Sequence, residues 1–193
     1  MGPNPYLHNE FTTPFLAICM AVLPIIVAPD SRLKLKSQPV RQVDAETRQL
    51  MDDMLETMYA APGIGLAAPQ VGVLKRVIVL DVAKEGETKR PLTMADPEIV
   101  EASDEDATYE EGCLSLPSHY SDVVRPAWVT VRYRDRDNAV KELRAEGLLA
   151  TCVQHEIDHL DGILFVDHIS ALKRNMILRK LLKAKKSQAL ETA

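Results

Sequence analysis

The sequence predicts an α+β fold: mixed or antiparallel β-sheets packed around a central helix carrying His-Glu-x-x-His, with a further helix at the C-terminal end. Three observations predict it. Short apolar or alternating runs crowd residues 76–145, divided by polar turns. An apolar helical pattern follows over residues 148–160, and a basic amphipathic one begins at Ser170. Strands gathered ahead of these helices, instead of alternating with them, separate this class from α/β.

Composition narrows the rest. At 193 residues the chain predicts one domain with a substantial core. With 46% hydrophobic and 26% charged residues it reads as a soluble globular protein, neither disordered nor membrane-embedded. Cys19, Cys113 and Cys152 are odd in number and far apart, which argues against a disulfide framework and for a reducing, cytoplasmic compartment. The net charge of −5 leaves no overall nucleic-acid footprint, and no specific DNA binding is expected. The charge is uneven, however: residues 170–193 carry seven Lys or Arg against one Glu, about +6, which leaves about −11 on the remainder.

Taken in order, residues 1–19 read as a separate extension. The apolar run at 15–28 is broken by Pro24, has no Lys or Arg before it, and is too short to cross a bilayer. Met20 is a natural alternative start, so the expected domain spans residues 20–186, with 187–193 as a flexible tail. Pro29 and Asp30 open a turn. Asp44 caps a helix running to about Ala61, with Leu50, Met54, Leu55 and Met58 on its apolar stripe. Pro62 and Gly63 stop it. Residues 63–70 are mostly small and end in the amide of Gln70, which suits either a tight helix-to-strand turn or a backbone that something approaches closely. Residues 76–82 read as a buried strand, and a polar hairpin at 84–90 leads to Leu92, Thr93 and Met94. Asp96 and Pro97 turn the chain into a strand at Ile99 and Val100, followed by an acidic loop at 103–106. Extended structure resumes at Val123 and Val124, and residues 128–133 pair with 139–145 about a turn at 135–138. Ser170 caps the last helix, which runs to about Lys186 with Leu172, Met176, Ile177 and Leu181 on its apolar face.

The chemistry concentrates in the helix after Gly147. His155 and His159 lie about 40° apart around the helix and about 6 Å apart along it, so both rings reach one metal ion. Glu156 sits on the edge of that face, placed to meet a water on the metal rather than to ligate it. Leu148, Leu149, Cys152, Val153 and Leu160 surround this polar cluster with apolar residues, and a metal satisfies groups that burial would otherwise penalise.

Two histidines leave a catalytic metal one protein ligand short. Peptidases of the His-Glu-x-x-His type add a third His six residues on, where Phe165 stands, or a downstream Glu, of which only Glu191 exists. Cys152 is about 10.5 Å along the helix from His159, which would make three nearly collinear ligands, so it reads as a core thiol. Cys113 approaches from a separate strand or loop, and Gly112 beside it permits close approach. A Cys-His-His set leaves the fourth position for water, the mark of a catalytic site.

Residues 63–70, 111–115 and 154–159 resemble, in order, the three motifs of the bacterial peptide deformylase family. Pro29, Asp30 and Leu33, with Pro39 and Val40, resemble its N-terminal segment, and the likeness covers about residues 20–186. Two departures stand out: residues 1–19 have no counterpart, and Asp96 replaces an Asn before the proline. The resemblance implies an amidohydrolase that removes the formyl group from N-terminal formyl-methionine of new polypeptides and releases formate. It implies a divalent ion on Cys113, His155 and His159, physiologically Fe²⁺, with Ni²⁺ or Co²⁺ as active stand-ins and Zn²⁺ usually poorer. It assigns proton transfer to Glu156 and oxyanion donation to the Gln70 amide and the Leu114 backbone N–H. Gly65 and Gly112 would flank the substrate backbone, and Ile64, Tyr109, Leu148 and Cys152 would wall the methionine pocket. The basic C-terminal helix reads equally well as a solvated face; the resemblance implies that it docks on the ribosome. The rival readings are a zinc peptidase, disfavoured by Phe165, and a non-catalytic ribosome-associated binding protein, disfavoured because no ligand or base is missing.

Overall fold

The structure, a computed structural model, describes residues 21–191. The expected extension at 1–19, the alternative start at Met20 and the last two residues of the expected tail lie outside the described residues. Three α-helices, α1 (Ala45–Ala60), α2 (Gly147–Leu160) and α3 (Ala171–Glu191), accompany seven strands. The strands are β1 (Gly65–Ala67), β2 (Val77–Leu80), β3 (Leu92–Ala102), β4 (Asp106–Gly112), β5 (Tyr120–Pro126), β6 (Trp128–Arg134) and β7 (Val140–Glu146). They form a five-stranded antiparallel sheet, ordered β1-β2-β3-β6-β7, and a separate β4-β5 ribbon.

The α+β expectation therefore holds. The larger sheet lies between two helices, and β2 shows why. Val77 and Val79 pack with Met51, Met54 and Met58 of α1, whereas Ile78 and Leu80 pack with Val153, Ile157 and Leu160 of α2. Alternation along a strand sends successive side chains to opposite faces, so a strand covered on both faces reads as a continuous apolar run. Helix α1 starts where Asp44 Oδ1 accepts the Thr47 N–H at 2.8 Å. Its buried face is Thr47, Met51, Met54 and Met58, with Leu50 and Leu55 half-buried beside it. Met54 and Met58 of the expected stripe are thus at its centre, Met51 joins them, and Leu50 and Leu55 flank it.

Three expectations change in the structure. Asp96 and Pro97 do not turn the chain; β3 runs through them, with register irregularities between Ala95 and Glu98 and between Ile99 and Glu101. Asp96 lies at φ +50°, and its two carboxylate oxygens accept the N–H groups of Val40 and Arg41, each at 2.8 Å. An Asp tolerates the left-handed region better than most residues, so a turn signal is absorbed as a bulge. The apolar face of α3 is also only half realised. Leu181 is buried and Ile177 half-buried against Phe165 and Val166, while Leu172 and Met176 are 74% and 51% exposed. Helix α3 continues to Glu191, past the expected end near Lys186.

The site is positioned by α2, which is buried on nearly every side. Residues Ala150 to Ile157, His159 and Leu160 are all buried, with the sheet on one side and the end of β4 on another. The extended stretch before Ser31 then ties the loops together. Ile26 N–H donates to Gln70 O at 2.7 Å, and Ala28 N–H donates to Ser115 O at 2.9 Å.

Candidate metal centre and its cavity

Cys113 follows directly from β4, in a turn closed by the Leu116 N–H on Cys113 O at 2.9 Å. That turn drops the thiol onto α2. The ligand atoms of Cys113, His155 and His159 all lie within 4.8 Å of one another, and Cys113 Sγ is 3.2 Å from His159 Nε2. The two imidazole rings are 4.9 Å apart and nearly perpendicular at 74°, so both address a common point. This is the one such cluster of three or more potential ligands among the described residues.

Glu156 supports the fit of a metal. Its Oε2 is buried without a hydrogen-bond partner, which a buried carboxylate does not tolerate unless something else occupies its surroundings. One soft sulfur and two imidazoles suit a first-row divalent ion with one position left open. Burial and the neighbouring His155 hold His159 well below its ordinary pKa, in the neutral form that a ligand needs. Burial raises Glu156 to about 7, assisted by Glu111 and opposed by His155. Cys152 behaves as expected of a core thiol: it stands outside the ligand cluster, its Sγ is 3.5 Å from Ile64 O, and burial pushes its pKa well up. Phe165 also fills its position as core, buried and stacked 6.4 Å from the His155 ring.

Behind the ligands lies a charge network that the sequence reading did not single out. Glu111, at the end of β4, accepts from His155 Nδ1 at 2.8 Å. Arg125, on β5, grips the same carboxylate through Nε at 2.5 Å and Nη2 at 3.0 Å. Arg125 Nη1 also donates to Asp158 at 2.8 Å, and Asp158 takes a further bond from His168 at 2.7 Å. Burial alone would raise Glu111, but His155 and Arg125 outweigh it and hold the carboxyl at about 2. An ionised Glu111 accepts only, so His155 Nδ1 carries the proton and Nε2 is left for a metal. A signal was available in Arg125, a charged residue in step with the inward-facing Ser121 and Val123.

A cavity of about 510 Å³ opens above this floor, bringing together Gln70, Cys113, Leu114, His155 and Glu156. Of the expected pocket walls, Ile64, Gly65, Gly112, Leu148 and Cys152 line it. Tyr109 is not among its lining residues; it is 37% exposed, and its hydroxyl would lie 3.6 Å from a Cβ on Gly147. Gly65 and Gly112 have a reason of their own for lacking a side chain. A Cβ on Gly65 would run into the Glu156 carboxylate and lie 2.8 Å from Cys152 Sγ, and one on Gly112 would lie 2.5 Å from the Tyr120 ring. Gln70 is oriented by the Ala67 N–H on its Oε1 at 2.8 Å, which leaves Nε2 3.1 Å from Ser115 Oγ and 3.6 Å from Cys113 Sγ.

Comparison with known proteins agrees with this geometry. Residues 22–175 match the model of the polypeptide deformylase family. A peptide deformylase of Rhizobium meliloti is 57% identical over 169 residues, covering 88% of this chain and 97% of that protein. The crystal structure of peptide deformylase from Ehrlichia chaffeensis superposes with a TM-score of 0.83 at 41% identity, covering 88% of this chain and 99% of that one. The same enzyme in complex with actinonin gives a TM-score of 0.82 at 44% identity, covering 86% and 98%. A Cys-His-His cluster beside a buried glutamate, in a fold shared along nearly the whole length of these enzymes, shows that the chain belongs to the polypeptide deformylase family, metal-dependent hydrolases that remove the N-formyl group from nascent polypeptides.

Proposed function

We propose that Cys113, His155 and His159 hold the metal ion, that Glu156 moves the proton, and that the Gln70 side chain and the Leu114 backbone N–H receive the oxyanion. The observation that carries this reading is the Glu156 carboxylate: buried, with an unpartnered Oε2, and raised to about 7 beside the three ligands. A pKa near neutrality lets one group both accept and return a proton. When bound, the ion supplies Lewis acidity and makes water nucleophilic near neutral pH.

The chain's residues account for the remaining requirements. Water oxygen bonds to the formyl carbon as Glu156 accepts one of its protons. Glu156 then delivers that proton to the amide nitrogen, the C–N bond breaks, and formate and a free N-terminal amine leave. One amide hydrogen of Gln70 and the Leu114 N–H would meet the charge on the formyl oxygen, each such donor being worth about 2.7–4 kcal/mol in comparable sites. Ile64, Leu148 and Cys152 offer the methionine side chain an apolar wall. Strand β1 is an edge of the five-stranded sheet, and an extended peptide adds naturally to such an edge, between Gly65 and Gly112.

The family resemblance extends the reading to Fe²⁺ as the physiological ion, and the thiolate-imidazole donor set is compatible with it. It also extends it to the cytoplasm and the ribosome. No helix among the described residues is long and apolar enough to cross a membrane. Lys173, Arg179, Lys180, Lys183, Lys185 and Lys186 are exposed along α3, a charge pattern suited to rRNA phosphates.

Glu156→Ala is expected to retain metal and to lower formate release from formyl-Met-Ala by about 10²–10⁴-fold; a near wild-type rate would remove Glu156 from the mechanism. After anaerobic purification, the wild-type and Cys152→Ala proteins should contain iron and be most active with it, whereas Cys113→Ala should contain none. Iron retained by Cys113→Ala but lost by Cys152→Ala would exchange the two roles, and highest activity with zinc would overturn the iron assignment. Co-sedimentation with ribosomes should weaken with salt and vanish on truncation after Ser170; salt-insensitive, unchanged binding would rule out docking through α3.

A further inference from the structure

Gln70 and Ser115 are both buried, 45 residues apart in sequence, and joined through their side chains. We propose that Ser115 is a positioning residue for deformylation: its hydroxyl oxygen takes one Nε2 hydrogen of Gln70 and so directs the other toward the carbonyl under attack. The inference rests on the reading of Gln70 as an oxyanion donor.

A primary amide has two donor hydrogens and one oxygen. The Gln70 oxygen is engaged by the Ala67 N–H at 2.8 Å, so flipping the amide would set donors against a donor. Of the two Nε2 hydrogens, one meets Ser115 Oγ at 3.1 Å. The other is donated to Cys113 Sγ at 3.6 Å, which keeps it at the metal face, where the carbonyl under attack would take it over from the sulfur. Ser115 thereby converts an amide that could swing about its oxygen contact into one with a fixed plane, whose second hydrogen is aimed at the metal face beside Cys113.

The backbones of the two residues are tied by the same stretch of chain. Ile26 N–H holds Gln70 O at 2.7 Å, and Ala28 N–H holds Ser115 O at 2.9 Å. Two donors on one extended segment thus set the spacing between the Gln70 turn and the Cys113 turn, and the side-chain bond spans what that spacing leaves. The arrangement is preorganised, costing no rearrangement when charge develops on the substrate. An interaction that serves only the transition state appears in kcat and leaves KM alone.

The test is a double-mutant cycle on the metal-loaded enzyme, with formate release from formyl-Met-Ala as the readout and metal content measured for each variant. Gln70→Ala is expected to lower kcat about 10²–10³-fold. Ser115→Ala should lower kcat about three- to tenfold, the range of one neutral hydrogen bond, with KM and metal content unchanged. Combining Ser115→Ala with Gln70→Ala should be no worse than Gln70→Ala alone, because Ser115 acts only through Gln70. Additive losses, or an unchanged kcat in Ser115→Ala, would overturn the positioning role. An unchanged kcat in Gln70→Ala would overturn the oxyanion reading itself, and the proposal with it. Should Ser115→Ala not fold, Ser115→Cys substitutes a weaker acceptor of similar size. It should move the Gln70 side-chain amide resonance in the zinc-loaded protein, and an unmoved resonance would equally refute the proposal.

Discussion

The arrangement depends on one buried contact, the Glu111 carboxylate held by Arg125 and accepting from His155. Two charges taken out of water are costly, and a buried pair survives only where its remaining bonding capacity is used. Here it is used fully: Glu111 meets Arg125 with both oxygens, and Arg125 has a nitrogen left for Asp158. The pair joins three elements that local forces would not bring together, β4 through Glu111, β5 through Arg125 and α2 through His155 and Asp158. Removing one member would leave the other charged and unpaired, a loss of about 3–5 kcal/mol in comparable sites. The metal face of α2 and the ribbon carrying Cys113 are therefore held in register before any ion arrives.

That constraint explains how a polar site persists in an apolar helix. Helix α2 buries His155, Glu156 and His159 among Val153, Ile157 and Leu160, and each polar group has a separate resolution. His155 is oriented by Glu111, His159 faces Cys113, and Glu156, which lines the cavity, is left with a buried and unpartnered Oε2. Burial without a full set of partners is what raises Glu156 to about 7. The same shielding that makes the carboxylate costly to ionise makes it able to exchange a proton at neutral pH.

Much of this was legible in the sequence, for reasons that can be stated residue by residue. Helical periodicity alone brings His155 and His159 to one face, and the collinearity of a helix excludes Cys152 as a third ligand. The glycines beside Gln70 and Cys113 announced close approaches, although the atoms that approach in the structure are Glu156, Cys152 and Tyr120. What was not legible depends on register across strands. In the β4-β5 register Glu111 pairs with Ser121 and Arg125 with Ala107, so Arg125 reaches the carboxylate only through the length of its side chain on the shared face, which no one-dimensional pattern fixes. Likewise Asp96 and Pro97 resembled a turn because both residue types favour turns, yet the carboxylate of Asp96 is taken up by distant N–H groups at Val40 and Arg41 and the strand continues. Tyr109 fell outside the cavity lining because the end of β4 reaches that cavity through Glu110, Glu111 and Gly112.

Everything at the metal face follows from Glu111 orienting His155. Competition of Glu111→Gln with a chromophoric chelator measures it, since glutamine keeps the shape but not the charge. The variant is expected to fold and to bind metal about 10–100-fold more weakly. An affinity equal to that of the wild type would contradict that orienting role.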